Sequence, residues 1–442
     1  MTQRTPNCAL QGLFAESGWT LDQCARAVNR VGTETGIRLR YNESAVHHWL
    51  GGTVPRVPVR NIVLEAFSRR LNRTVTHEQA GFPAPTGQTS ECLGTVEGLV
   101  ELGSMDVDPS RRGLLGVGLF SVALTIPGWQ DVVARAEGIQ SGRSANIGMN
   151  DVRMVIAMTE RVSDLDDEFG GRYARPMAAS FLINTVAPAL GAGGPEEVRA
   201  AMRSAASDLC YLTGYMAVDE GEHHLAQQYY LKALELAGAA NDHLTYCTTL
   251  RGMSVQAVDL GHGVEAMRLA DAAAAASPQA GPRMRAFLAG QQAHAAAQTG
   301  DRAGALSHLR EAEVAMEKAE SRGKAWGSYD YSSLHYHISQ VRYELGDTAA
   351  AVEALEESDR VRLGVYRRNR VHRRGLLAER QLQLGHLEAA CHTWNLALDD
   401  YPLVKSGRAD DRMRRMAAFI RPYRKNAAAR ALYERARPLL KV

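Results

Sequence analysis

Five glycine–alanine pairs, each with the alanine five residues after the glycine, run down the C-terminal half of the sequence. They are Gly221/Ala226, Gly261/Ala266, Gly300/Ala305, Gly346/Ala351 and Gly385/Ala390. The glycines step by 40, 39, 46 and 39 residues, which is a period and not a scatter. A repeat of this length, rich in Ala and Leu and free of strand-like alternation, implies stacked helix pairs. Each glycine marks the turn between helix A and helix B of a pair. Each alanine marks a crossing that has room for a methyl group, so a larger side chain at Ala226, Ala305 or Ala390 would push the helices apart.

The 442 residues exceed one compact core, and two or more domains are expected. The apolar share of 45% and charged share of 23% suit a globular protein. Six widely spaced cysteines (Cys8, Cys24, Cys92, Cys210, Cys247, Cys391) form no C-x-x-C, which favours reduced, mostly buried thiols in a cytoplasmic protein. The start, MTQRTPNCAL, has no signal-peptide apolar core. Gly113–Ile126 is apolar, but its 14 residues are too few for a membrane-crossing helix. A buried helix is expected there.

The net charge of +2 hides a segregation. Residues 1–85 carry +4, residues 86–359 carry −15 and residues 360–442 carry +13. Charge divided in this way points to different partners for different regions.

Ala9–Ser17 and Thr20–Val31 read as two short helices, the second capped by Thr20. Asn42 or Ser44 can cap a third, with Val46, Trp49 and Leu50 buried. Arg60–Leu71 makes a fourth, and Thr76-x-x-Gln79 is a capping box that opens a last turn. Several short helices in eighty net-basic residues fit a helix-turn-helix domain. Ser44-Ala45-Val46-His47-His48-Trp49-Leu50-Gly51-Gly52-x-x-Pro55 resembles the recognition helix of the phage-repressor-like (Xre/Cro) family. The resemblance implies a groove-facing surface of Ser44, Ala45, His47 and His48, with Arg56 near a phosphate. Between the second and third helices, Gly32–Tyr41 inserts about ten residues where about four are usual. Ile37, Leu39 and Tyr41 alternate with Arg38, Arg40 and Asn42. One reading is an arm that packs its apolar side on the domain and offers Arg38 and Arg40 to phosphates; the other is a surface loop.

Pro83–Ser90 is a linker by composition. An irregular helical region follows, with an acidic run (Asp164, Asp166, Asp167, Glu168) before Phe169-Gly170-Gly171. Without glycine-spaced loop ligands, the run reads as a solvated helix end and not as a metal site. The first repeat places Gly214, Gly221, Ala226, Tyr230 and Ala233 at the signature positions of a tetratricopeptide repeat (TPR) beginning at Ser207. Later units relax all but the glycine and the alanine. The expected division is a helix-turn-helix domain at 1–83, a linker at 84–95, irregular helices at 96–206, five TPR-like pairs at 207–402 and capping helices at 403–442. The fold class is all-α, a helix-turn-helix domain followed by an α-solenoid. The concave face of such a solenoid is lined by A helices, and its candidate partner-binding residues are Asp219, Glu220, Gln256, Gln292, Gln340, Arg380 and Gln383.

Phosphate-loop, nucleophile-elbow, zinc-protease and dinucleotide fingerprints are absent from the sequence. Adjacent histidines on a helix diverge by about 100°, so neither His47–His48 nor His223–His224 suggests a metal. No enzyme activity, cofactor or membrane partner is expected. Over nearly its whole length the chain resembles actinobacterial regulators that join a helix-turn-helix domain to TPRs. The shared phrases are Leu21-x-x-Cys24-Ala25-x-Ala27-Val28-Asn29, Val46-x-x-Trp49-Leu50-x-Gly52-x-x-Pro55-Arg56, Leu165-Asp166-x-x-Phe169-Gly170-Gly171 and Gly214-x-Met216-Ala217-x-Asp219-x-Gly221. The resemblance implies a homodimer that reads double-stranded operator DNA, and the candidate DNA-contacting residues are Ser44, Ala45, His47, His48 and Arg56 with Asn42 and, from the inserted arm, Arg38 and Arg40. It also implies a TPR body that senses a peptide, small molecule or protein, in the control of development or antibiotic production. The alternative is a TPR interaction scaffold whose N-terminal module does not bind DNA.

Overall fold

A computed structural model describes residues 6–35, 37–83, 94–107, 146–276, 280–319, 329–361 and 366–440. Most of the expected linker and the apolar stretch Gly113–Ile126 lie outside the described residues. The described residues are helical apart from turns, extended connections and one isolated parallel bridge, Asn146 to Gly193.

The N-terminal module packs α1 (Cys8–Ser17), α2 (Leu21–Glu34), α3 (Glu43–Leu50) and α4 (Val57–Leu71) around Leu10, Val28, Trp49, Ile62 and Phe67. Local chemistry sets the starts. Thr20 and Gln23 form a reciprocal capping box, and the Asn42 side chain accepts from the Ala45 amide at 3.3 Å. Thr76 and Gln79 close the expected capping box, with bonds of 3.0 and 3.2 Å. The fourth helix begins at Val57, ahead of the expected Arg60, because a proline in its first turn fits a helix start.

Of the Gly32–Tyr41 insertion, residues 32–34 prolong α2, and residues 37–41 run outside regular secondary structure and alternate as their sequence does. Ile37, Leu39 and Tyr41 pack against the module core, while Arg38 and Arg40 are exposed. The side chain of Asn29 pins it by exchanging two 2.8 Å hydrogen bonds with the Tyr41 backbone. The Tyr41 ring meets Trp49 edge-on at 4.9 Å.

Beyond the module come α5 (Thr95–Val107), α6 (Met149–Phe169) and α7 (Gly171–Phe181), the last running on through a π-type turn to Leu190. Six antiparallel pairs follow. They are α8/α9 (Glu196–Asp219, His223–Ala239), α10/α11 (His243–Asp259, Gly263–Ala275) and α12/α13 (Pro282–Thr299, Arg302–Glu317). Then come α14/α15 (Tyr331–Glu344, Thr348–Arg360), α16/α17 (Arg367–Gln383, Leu387–Asp400) and α18/α19 (Gly407–Ile420, Ala427–Ala436). Helix α8 passes the expected boundary at 206/207 without a break.

The glycine–alanine ladder accounts for the first five pairs. All five turn glycines hold φ between 78° and 85°, a left-handed conformation that a side chain would strain. All five alanines are fully buried. In the first pair the crossing residue is Gly214, where an added methyl would lie 2.9 Å from the Tyr230 ring and 3.1 Å from the Ala226 carbonyl oxygen. Where serine replaces that glycine, its hydroxyl is absorbed locally. Ser254 donates to the Ala266 carbonyl at 2.7 Å, and Ser339 to the Ala351 carbonyl at 2.5 Å. The signature relaxes because a small donor beside a helix carbonyl satisfies the same crossing.

Candidate functional site

The array closes on itself, and the closure is built from charges. The acidic run ending α6 meets the first turn of α16, about 200 residues further along the chain. Arg368 reaches Asp166 at 2.9 Å, Asp167 at 3.2 Å and Asp219, on the first A helix, at 3.5 Å. Arg367 pairs with Glu168 at 2.8 Å. The backbone completes the seal: the Lys405 amide donates to the Phe169 carbonyl at 2.6 Å, and the Arg172 amide to the Lys405 carbonyl at 3.2 Å. Glycine alone fits this point without strain. Gly170 holds φ at 94°, and a methyl there would fall on the Lys405 carbonyl. The expectation of a solvated helix end holds for the exposed Asp164 and is corrected for the rest: Asp166 is buried, and Asp166, Asp167 and Glu168 form a clasp.

Arg368 is one cation among three carboxylates. Burial raises the affinity of Asp166 for a proton; Arg368 opposes this, and Asp219 and Asp167 add to it, so the Asp166 carboxyl is pushed up to about 8. A second tie joins Arg172 to Glu220 at 2.7 Å and to Asp410 at 3.0 Å. Inside the closure, Arg408 of α18 pairs with Asp259 of α10. It also lies near Tyr215, Asp219 and Tyr336. Burial first, and then the surrounding Arg412, Arg408, Arg373 and Arg368, hold His372 well below the ordinary histidine range. His294 is likewise lowered to about 4, chiefly by burial.

The seven residues read from sequence as groove candidates are engaged within the chain. Asp219 faces Arg368, and Glu220 takes the Arg172 side chain and, at 3.2 Å, the Gly407 amide. Gln256 is buried and donates to the His223 carbonyl at 2.7 Å. Gln292 donates to Asp271 at 2.8 Å. Gln340 donates to the Tyr336 hydroxyl at 2.8 Å and accepts from Arg380, whose guanidinium stacks 4.3 Å from the Tyr343 ring centre. Gln383 is exposed and donates to the Tyr343 hydroxyl at 3.0 Å. The contacts of Gln256, Gln292 and Gln383 and the Gln340–Arg380 bond tie neighbouring repeats together, whereas Asp219 and Glu220 belong to the closure. Residues that sequence reasoning did not single out, among them Arg368, Lys405, Arg408 and Asp259, make the closure. The signal for them was the −15 and +13 segregation, which marks surfaces that can meet.

On the N-terminal module, Asn42, Ser44, His47, His48 and Arg56 are exposed, Ala45 is half-buried, and Val46 and Trp49 are buried. Arg38 and Arg40 project from the same stretch of chain. The module docks on the array through the end of α2 and the last turns of α4. Arg69 binds Glu65 and Glu34 at 2.7 Å each and approaches His262, at the turn of the second repeat, at 3.1 Å. His262 lies 3.3 Å from Glu34. Burial would raise the Glu34 carboxyl, but the bond from His262 and the charge of Arg69 outweigh it, and the carboxyl sits below its ordinary range.

No described helix is long and apolar enough to cross a membrane. Of the described cysteines, Cys24, Cys210, Cys247 and Cys391 are buried thiols and Cys8 is exposed. A family model described as the SP15 N-terminal domain matches residues 10–83. No curated protein matches the chain. Among solved structures, the APC/C hetero-tetramer Cut9–Hcn1 is similar at 14% identity and a TM-score of 0.33, covering 97% of this chain and 72% of that one.

Proposed function

We propose that the chain is a helical-repeat interaction protein in which the N-terminal module is a fixed part of the body. The observation that carries this reading is the Glu34–Arg69–His262 junction, which seats the module on the turn of the second repeat. The concave positions read from sequence already bond elsewhere within the chain, so partners meet the outer helices and the two ends of the array. Photo-crosslinking residues placed at exposed B-helix positions, such as Glu313 and Glu353, test the reading in the native host. A recurrent partner crosslinked from one face and not from its neighbours supports it. Uniform, partner-free crosslinking at every position removes it.

A second reading has its own observation. Ser44, His47 and His48 point outward beside the exposed Arg38, Arg40 and Arg56, a layout that suits a helix in a DNA major groove with phosphate contacts at its flanks. On this reading the chain is a transcription regulator, and its repeat body senses a peptide, small molecule or protein as a homodimer. A salt-dependent gel shift on the promoter beside its own gene decides the matter. A sequence-preferring shift, lost in Arg38→Ala/Arg40→Ala/His47→Ala protein, supports the regulator. Equal shifts on unrelated DNA, or none, leave the interaction protein alone.

A further inference from the structure

We propose that the C-terminal pair α18/α19 is a binding surface for single-stranded nucleic acid, separate from the N-terminal module. A water-facing helix pair needs a polar outer face, and mixed charges would meet that need. Here one sign dominates: residues 414–437 hold eight Arg or Lys and one acid, Glu434. The bases near carboxylates are Arg414 on Asp411, Arg415 on Glu379 and Arg435 on Asp399. Arg421, Arg424, Lys425, Arg430 and Arg437 are all exposed, and none has a carboxylate partner among the described residues. A field of one sign raises the local concentration of a polyanion and repels a second basic surface.

Aromatic rings decide which polyanion. Phe419 and Tyr423 stand four residues apart where α18 runs into the turn before α19, and they are 40% and 41% exposed. Arg415 lies 5.8 Å from the Phe419 ring centre, and Arg424 stacks 4.4 Å from that of Tyr433. Exposed rings interleaved with cations give unpaired bases a stacking platform while the cations track phosphates. An acidic peptide would use the cations and leave the rings idle. A duplex keeps its base faces stacked inside.

The test uses the full chain and fluorescence anisotropy with a labelled oligothymidine of about 20 nucleotides, enough for one or two such platforms. Five free cations on single-stranded nucleic acid give a log–log salt slope of about −3.5, or roughly 100-fold weaker binding from 50 to 200 mM salt. Arg421→Glu/Lys425→Glu/Arg430→Glu should reduce the slope by about 2. Phe419→Ala/Tyr423→Ala should weaken binding roughly tenfold or more at constant salt. These side chains are exposed, so an unchanged melting temperature is expected to verify the fold of both variants. Arg38→Ala/Arg40→Ala/Arg56→Ala protein should bind the oligonucleotide as the parent does, which separates this surface from either reading of the N-terminal module. Unchanged binding in both tail variants overturns the proposal. So does equal binding of a duplex, a polyglutamate peptide or phosphatidylserine-containing vesicles with no dependence on the two rings.

Discussion

Two ionic junctions hold this molecule in its closed form, and they are balanced in opposite ways. At the clasp, Arg368 serves Asp166, Asp167 and Asp219, and the carboxylates outnumber their shared cation. At the module junction, Arg69 serves Glu34 and Glu65 while His262 adds a further donor. The same residue chemistry thus gives a proton-binding carboxyl at one site and a proton-shedding one at the other. The lesson is that a buried arginine does not fix the charge state of its partners; the count of donors and acceptors around it does.

The largest effect should come from Arg368→Met. It leaves three carboxylates facing one another without a cation and should cost about 3–5 kcal/mol. Small-angle scattering should show a larger radius of gyration as the array opens; an unchanged radius with intact stability would break the comparison at its stronger end. Arg69→Met should cost less, about 2 kcal/mol, because its side chain is partly solvated. Its expected signature is protease cleavage between the module and the array, with the helical content of both retained. Gly170→Ala probes the backbone side of the clasp and should cost about 1–3 kcal/mol for the strained dihedral and the displaced Lys405 carbonyl. Gly221→Ala, strained but meeting nothing within 4 Å, is the control for strain alone.

The pH dependence separates the junctions most directly. Asp166 binds its proton more tightly when folded, so its contribution is fully present below its ordinary range and is lost as pH rises toward about 8. Across that window, stability should fall by at most about 1.4 kcal/mol per pH unit. Asp166→Asn should flatten the fall, and melting curves between pH 5 and 9 read it. Glu34 runs the other way: its folded carboxyl is held low, so its contribution is present at neutral pH and lost as pH drops through that lowered value. Cleavage at the module–array connection should rise in acid and stay low in base. The smallest effect belongs to Arg38→Ala/Arg40→Ala, expected within about 0.5 kcal/mol of the parent because both side chains are exposed.

Much of the fold was legible because its causes are local. A glycine that must adopt φ near 80° and an alanine that must fit a helix crossing leave a mark at a fixed spacing, and the ladder from Gly221 to Ala390 reads directly as helix pairs. Capping residues did the same for the N-terminal module: Thr20, Asn42 and Thr76 begin their segments as side-chain acceptors. The arm from Ile37 to Tyr41 was legible in its alternation, although whether it packed at all was open. The acidic run at Asp164–Glu168 was not legible. A helix end rich in carboxylates looks solvated unless a cation from a distant segment is known to cover it, and Arg368 lies about 200 residues away. The groove candidates failed to stand apart for a related reason. Helix position says that Gln256 or Gln340 faces inward, but not that His223 or Tyr336 waits there to receive it.

The helices, their pairing and the period of the array follow from local residue choices, because backbone conformation and crossing distance are set by residues within one repeat. Closure of the array, docking of the module at His262 and the meeting of opposite charges far apart in the chain emerge from the assembled fold. Those outcomes depend on the accumulated rotation of successive repeats, which no single repeat records, and on burial that turns ordinary surface charges into a clasp.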